Sequence, residues 1–140
     1  LHPDHAGQNA SFRDIPIHVQ AKELAHARAG NYTILEWVDG PGVRYLEADG
    51  DHELAPGIRV LSTPGHSPGH QSLVVDQRDG PVLLTGQAVY GLDEWTRSTG
   101  REGRSSARDQ PAYDASLARL REQEPVRALF AHDRRPWSRA

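Results

Sequence analysis

Two histidines and an aspartate, His2, Asp4 and His5, fall within four residues in Leu1-His2-Pro3-Asp4-His5-Ala6-Gly7. Imidazole nitrogen and carboxylate oxygen at that density suit a borderline divalent cation such as zinc. The context is turn-rich, one that a packed strand or helix would not choose. Read alone, the stretch fits a metal-binding loop and a disordered His-rich terminus about equally. A second cluster, Thr63-Pro64-Gly65-His66-Ser67-Pro68-Gly69-His70, and a third, Phe130-Ala131-His132-Asp133, favour the metal loop. With no cysteine in the chain, there is neither a disulfide framework nor a thiolate site, so ligands must be His and carboxylate.

Taken together, the three clusters resemble the metallo-β-lactamase superfamily of zinc hydrolases. The hallmark of that family is His-x-His-x-Asp-His, in a loop between a strand and a helix. His2, Asp4 and His5 match its second histidine, its aspartate and its third histidine. The first would precede Leu1, so the sequence is expected to be a piece that starts inside the motif. His66 matches the family's histidine in a Gly-His turn, and His132 matches the histidine near the C-terminus. The aspartate that bridges two metals in the family pattern Gly-Asp-Ala is replaced by Gln87, in Gly86-Gln87-Ala88. His70 matches a histidine that supports the loop and binds no metal.

The resemblance implies two zinc ions sharing a water whose pKa falls to about 7, so that hydroxide attacks a carbonyl at neutral pH. One ion would take the upstream histidine, His2 and His66; the other would take Asp4, His5 and His132. Asp4 would also orient the nucleophile. Tyr90 lies three residues after the bridging position, where N-acyl-homoserine lactonases carry a tyrosine that contacts the lactone carbonyl. A phenol there can hydrogen-bond a developing oxyanion, or equally pack the core. The expected activity is hydrolysis of a lactone ester, compromised by Gln87, with at most one tightly held zinc. Two alternatives stay open: hydrolysis of another ester or thioester, of the hydroxyacylglutathione-hydrolase type, and an inactive relative or gene remnant.

These residues need rigid elements to hold them. Residues 15–20 read as a short strand and 21–29 as a helix stopped by Gly30. His18 and His26 lie there and are read as structural or surface residues. Residues 31–51 are looser, with Tyr32, Trp37 and Tyr45 around the turn Gly40-Pro41-Gly42. Residues 43–47 could be a strand there; the resemblance to acyl-homoserine lactonases implies a ligand contact for Trp37, which by itself reads equally as a rim aromatic covering the core. Ile58–Ser62, residues 71–76 and residues 81–85 read as three strands of an antiparallel meander, with His66 on the loop between the first two. Residues 111–122 read as a helix with proline in its first turn, and residues 126–130 as a buried strand that delivers His132. Residues 134–140 look like a ragged end.

Fold class is therefore expected to be α/β, the αββα sandwich of the metallo-β-lactamase type, with residues 1–140 supplying mostly its C-terminal half and the first sheet largely missing. Such a chain would expose the apolar face of Ile58, Val60, Val82 and Leu84 and associate through it. At 140 residues the sequence is at most one domain, 36% hydrophobic and 25% charged. A net charge near −3 gives no pull towards nucleic acid or anionic membrane. Residues 93–110 form a polar stretch with few aromatics between Arg97, Arg101, Arg104 and Arg108; it reads as a solvated mobile loop, not a nucleic-acid surface. No apolar run approaches the roughly 20 residues of a spanning helix. The expected partner is a small ester or lactone, with neither nucleic acid nor membrane; the expected location is cytoplasmic. The residues carry no reading of oligomeric state.

Overall fold

A computed structural model describes residues 1–30, 33–97 and 109–139. They group into two compact units, Leu1–Asp49 and Gly50–Ala140.

In the first unit, α1 (Pro3–Ala6) opens the chain, a single helical turn where a loop was expected. The reason is local: Pro3 occupies the first helical turn, where its ring presets φ and its missing N–H costs nothing. The carbonyl of His2 accepts from the amides of His5 and Ala6 at 3.0 and 2.9 Å, which closes the turn. After a 3-10 turn at Asn9–Ser11 come β1 (Ile17–Gln20), α2 (Ala21–Arg28), α3 (Leu35–Val38) and β2 (Tyr45–Ala48). Strands β1 and β2 pair in parallel, Ile17 opposite Tyr45. Helix α2 is built from Ala, Lys, Glu and Leu, all good helix formers, and stops before Gly30, whose φ is +84°. Its buried Leu24 and Ala27 meet Val19 and Val38 in a small core closed by Tyr45. The Tyr45 hydroxyl donates to the Val38 carbonyl at 2.8 Å and accepts from the Asn9 amide at 3.1 Å, which ties β2 to α3 and to the loop after α1.

The second unit is a six-stranded sheet in the order β3-β4-β5-β6-β7-β8. Its strands are β3 (His52–Ala55), β4 (Ile58–Ser62), β5 (Gln71–Gln77), β6 (Gly80–Leu84), β7 (Arg127–Leu129) and β8 (Trp137–Ser138). Strands β4, β5 and β6 are antiparallel neighbours, as the meander reading expects; β3, not foreseen from the sequence, pairs antiparallel with β4, and β7 joins β6 in parallel. A parallel step needs a long crossover. It carries α4 (Leu92–Thr96) and α5 (Gln110–Glu122). Asp109 caps α5, its carboxylate accepting from the Ala112 amide at 3.1 Å, with Pro111 in the first turn. Tyr113, Ser116, Leu117 and Leu120 are the buried side of α5, at the spacing of one helical face.

The core lies on one face of this sheet. Val74, Leu83 and Ala128 stand opposite one another across β5, β6 and β7 and pack with Leu61, Val89, Trp95, Leu117, Leu120 and Phe130. On the other face the expected exposure holds only at Leu84, which is 37% exposed, whereas Val60 and Val82 are buried and Ile58 is intermediate.

Two readings of the sequence are corrected here. Residues 134–140 contain β8, which pairs antiparallel with β7 and lays Trp137 against Trp95 with ring centroids 5.5 Å apart. A two-residue strand after Pro136 has no periodicity to detect. The polar stretch begins with helix α4, whose buried residue is Trp95. Arg97 follows α4, while Arg101, Arg104 and Arg108, like Tyr32, lie outside the described residues.

Period-two alternation makes a sharp test at adjacent positions. Leu83→Ala empties a fully buried site and should cost about 2–5 kcal/mol, while Leu84→Ala next to it should cost less than about 1 kcal/mol. Urea denaturation of the two variants measures the difference, and equal losses would contradict the assigned faces.

Candidate metal centre

Strand direction brings three of the predicted loops to one place. β4 is antiparallel to β5 and β5 to β6, so β4 and β6 run the same way, and β7 is parallel to β6. The chain therefore leaves β4, β6 and β7 at the same end of the sheet. Those exits carry His66, Gln87 and His132 respectively. Thr85 and Ala131 join the last two exits, donating their amides to Leu129 and Gly86 carbonyls at 3.0 and 3.3 Å.

His70 locks the first exit to the second. Its Nε2 accepts from the Gln87 amide at 3.0 Å, so Nε2 carries no proton and the proton resides on Nδ1. Nδ1 then donates to the Thr63 hydroxyl at 2.9 Å. The Ser72 hydroxyl donates to the Thr85 carbonyl, also at 2.9 Å, so Thr63 must be the donor in its 2.9 Å contact with Ser72. Each bond in this chain fixes the direction of the next. His70 supports the loop, as expected from the resemblance, and its ring stands edge-on to His66 with centroids 5.9 Å apart.

Glycines flank both positions because backbone and side chains approach closely. A Cβ on Gly65, at φ +135°, would lie 2.5 Å from the Tyr113 backbone nitrogen and Cα. One on Gly86, at φ +57°, would lie 2.8 Å from His70 Nε2. Left-handed φ and absent space both demand glycine. His66 and Gln87 are consequently buried, at 6% and 7% exposure.

His132 is exposed, and Tyr90 stacks on it with centroids 5.0 Å apart and planes inclined by 16°. The stack lays the phenol ring along His132, so Tyr90 does not belong to the buried core. Asp133, which the residue pattern marked only as the neighbour of His132, holds this corner. Its Oδ2 accepts from the Leu92 amide at 3.1 Å, and the Arg135 guanidinium grips both of its oxygens. Those bonds hold the Asp133 carboxyl well below the usual carboxylate range. The signal in the sequence was the charge pair Asp133-x-Arg135.

The first unit presents its own donors on α1. Asp4 and His5 are exposed and His2 is half-buried, with Asp4 Oδ2 and His5 Nε2 3.5 Å apart. Two unlike donors side by side, one imidazole and one carboxylate, fit a borderline divalent cation. Trp37 lies against the same turn: a Cβ on Gly7 would meet its ring at 3.0 Å and the Pro3 carbonyl at 2.5 Å. At 41% exposure Trp37 is a rim aromatic laid on the turn. His18 is exposed on β1 and His26 half-buried on α2. Neither is among the groups gathered here.

The chain Nδ1–Thr63–Ser72–Thr85 predicts the effect of a near-isosteric change. Thr63→Val leaves the His70 N–H and the Ser72 hydroxyl each short of a partner and should cost about 1–3 kcal/mol. Chemical denaturation checks it, and a loss below about 0.5 kcal/mol, the level of a neutral surface change, would refute the network.

Known proteins resemble this chain in sequence and fold. A profile of the Metallo-beta-lactamase superfamily matches residues 1–132. An N-acyl homoserine lactonase of a Bacillus species is 37% identical over 138 residues, covering 95% of this chain and 53% of that protein. The N-acyl homoserine lactonase AttM of Azorhizobium caulinodans is 34% identical over 149 residues, 98% of this chain and 57% of its own. Among solved structures, a mutant of Bacillus thuringiensis AiiA with N-decanoyl-L-homoserine bound at its active site matches with a TM-score of 0.82 and 35% identity. That match covers 96% of this chain and 53% of the AiiA chain. The chain thus spans about half the length of the curated relatives it matches. Its motifs, their order and its fold agree on one conclusion: the chain belongs to the metallo-β-lactamase superfamily.

Proposed function

We propose that this chain forms part of a metal-dependent hydrolase that opens the ester bond of a lactone, of the N-acyl homoserine lactone class. The observation that carries the reading is the exit of His66, Gln87 and His132 from one end of one sheet, with Tyr90 stacked on His132. The lactonases matched along nearly the whole chain supply the substrate class. So does a related solved hydrolase with N-hexanoyl-L-homoserine at its catalytic metal centre.

The donors assigned to the metal are His2, Asp4, His5, His66 and His132, all imidazole or carboxylate, a set that suits zinc. Bound zinc supplies Lewis acidity and lowers the pKa of water to about 7. Asp4, acceptor-only when ionised, receives a hydrogen bond from the attacking water and orients it. Tyr90 donates its phenolic hydrogen to the lactone carbonyl oxygen as charge builds there. Gln87 stands where the family carries a carboxylate. Its amide oxygen is a neutral dipole, so it leaves the mutual repulsion of two dications less compensated than a carboxylate would.

That charge deficit gives a countable outcome. The dialysed chain should retain no more than one zinc ion, and Gln87→Asp should tighten zinc binding about tenfold or more. Native mass spectrometry and chelator competition read both, and two tightly held ions with Gln87 in place would overturn the argument.

Tyr90→Phe keeps the ring on His132 and removes only the hydroxyl. It should leave zinc affinity unchanged while kcat on N-acyl homoserine lactones falls about tenfold, or ~1.4 kcal/mol of transition-state stabilisation. Turnover that is unchanged on every lactone in a panel of chain lengths would remove Tyr90 from the chemistry. Faster cleavage of glutathione thioesters than of lactones would replace the substrate class.

A further inference from the structure

A continuous path of contacts joins the His66 loop to the Tyr90–His132 stack, and none of its members other than the endpoints is in the family's ligand pattern. It starts at Gly65. The first turns of α5 clasp the backbone there: Asp109 donates its amide to the Gly65 carbonyl at 3.1 Å, and the Ser116 hydroxyl donates to the Pro64 carbonyl at 2.7 Å. Between them, the Tyr113 backbone sits so close to Gly65 that no Cβ fits. The side chain of the same Tyr113 runs, fully buried, towards α4 and donates its hydroxyl to Glu94 Oε2 at 2.8 Å. That single oxygen also accepts the Tyr90 amide at 2.5 Å. The Tyr90 ring, in turn, lies on His132.

We infer that Tyr113 and Glu94 form a brace that sets the His66 loop and the Tyr90–His132 stack in register, and that both are positioning residues for the proposed metal centre. The inference rests on the hydrolase reading for its purpose, though not for its geometry. An ionised carboxylate is an acceptor with capacity for both donors, so one oxygen can hold a side chain of α5 and a main-chain amide at the site together. Burial, with Glu94 nearby, pushes the Tyr113 phenol up, so it remains a donor across the working pH range. The far side of the Tyr90 loop is closed by the Asp133 grip on the Leu92 amide, so the segment is held at both ends of one short stretch. Metal ligands are oriented by such outer partners, whose loss commonly weakens metal binding by about 10–100-fold.

The test uses the full chain, three variants and two readouts. Tyr113→Phe keeps the ring against the helix and removes the hydroxyl. Glu94→Ala removes the shared acceptor, and Glu94→Gln keeps an oxygen there. Hydrogen exchange at the Tyr90 amide reports the brace directly, with the Val74 and Leu83 amides as an internal control for the sheet. Zinc affinity by competition with a chromophoric chelator reports its consequence. Glu94→Ala and Tyr113→Phe should speed Tyr90 exchange and weaken zinc binding, each about tenfold, with the control amides unchanged; Glu94→Gln should stay within about threefold on both. Unchanged Tyr90 exchange in Glu94→Ala overturns the brace. So does accelerated exchange with native zinc affinity, because the contact would then be structural only. Should the native chain take up no zinc, the hydrolase reading falls, and exchange alone decides the brace in the same two directions.

Discussion

The end of the six-stranded sheet depends on one imidazole in one tautomer. His70 accepts a hydrogen bond from the Gln87 main-chain amide on one side and donates one to the Thr63 hydroxyl on the other, so two loops that follow different strands are tied together. Such a bond is worth only about 1 kcal/mol net, but leaving its buried partners unpaired costs more than making it gains. That asymmetry explains why Thr63, Ser72 and Thr85, all buried and all polar, sit in what would otherwise be an apolar corner. It also explains the glycine at position 86, since any side chain there would push the ring out of line.

α5 supplies the second constraint. Its apolar side, Leu117 and Leu120, is spent on the sheet core, whereas its first turns are spent on the loops. One helix thus couples the stability of the sheet to the placement of His66. The same economy appears at His132, where Asp133 serves as both anchor for the next loop and partner for Arg135. Rigid strands deliver His66, Gln87 and His132, and a few hydrogen bonds between loops tie those exits together, an arrangement that suits the proposed metal chemistry because donor atoms must be placed to fractions of an ångström.

Gln87 is the residue on which the charge of the proposed metal centre turns. Its backbone donates to His70 and so ties two loops together, while its side chain, in the proposed centre, brings a dipole where the superfamily pattern has a carboxylate. The main-chain bond does not depend on which side chain stands there, so loop structure and side-chain charge are separable at this position. In the proposed centre a carboxylate at this position would offset more of the repulsion between two dications than an amide oxygen would.

How much of this was legible beforehand follows from the range of each interaction. Strands β4, β5 and β6 and helix α5 were readable because alternation and helical spacing repeat over several residues. The candidate ligand positions stood out because His, Asp, Gly and Pro crowd together in the turns that would present a donor. Short elements escaped: α1 was taken for a loop, α4 for polar coil and β8 for a frayed end, since two to five residues carry no period. Glu94, Tyr113 and Asp133 escaped for a different reason. Each is an ordinary residue in a helix or turn, and its role exists only through a partner distant in sequence, such as Tyr113 with Gly65 and Leu92 with Asp133. Residue type and local spacing determined which side chains could bind metal and which elements would carry them. Strand direction and the packing of α5 decided which loops meet and what holds them, because hydrogen bonds and close contacts between remote segments are settled only when the chain has folded.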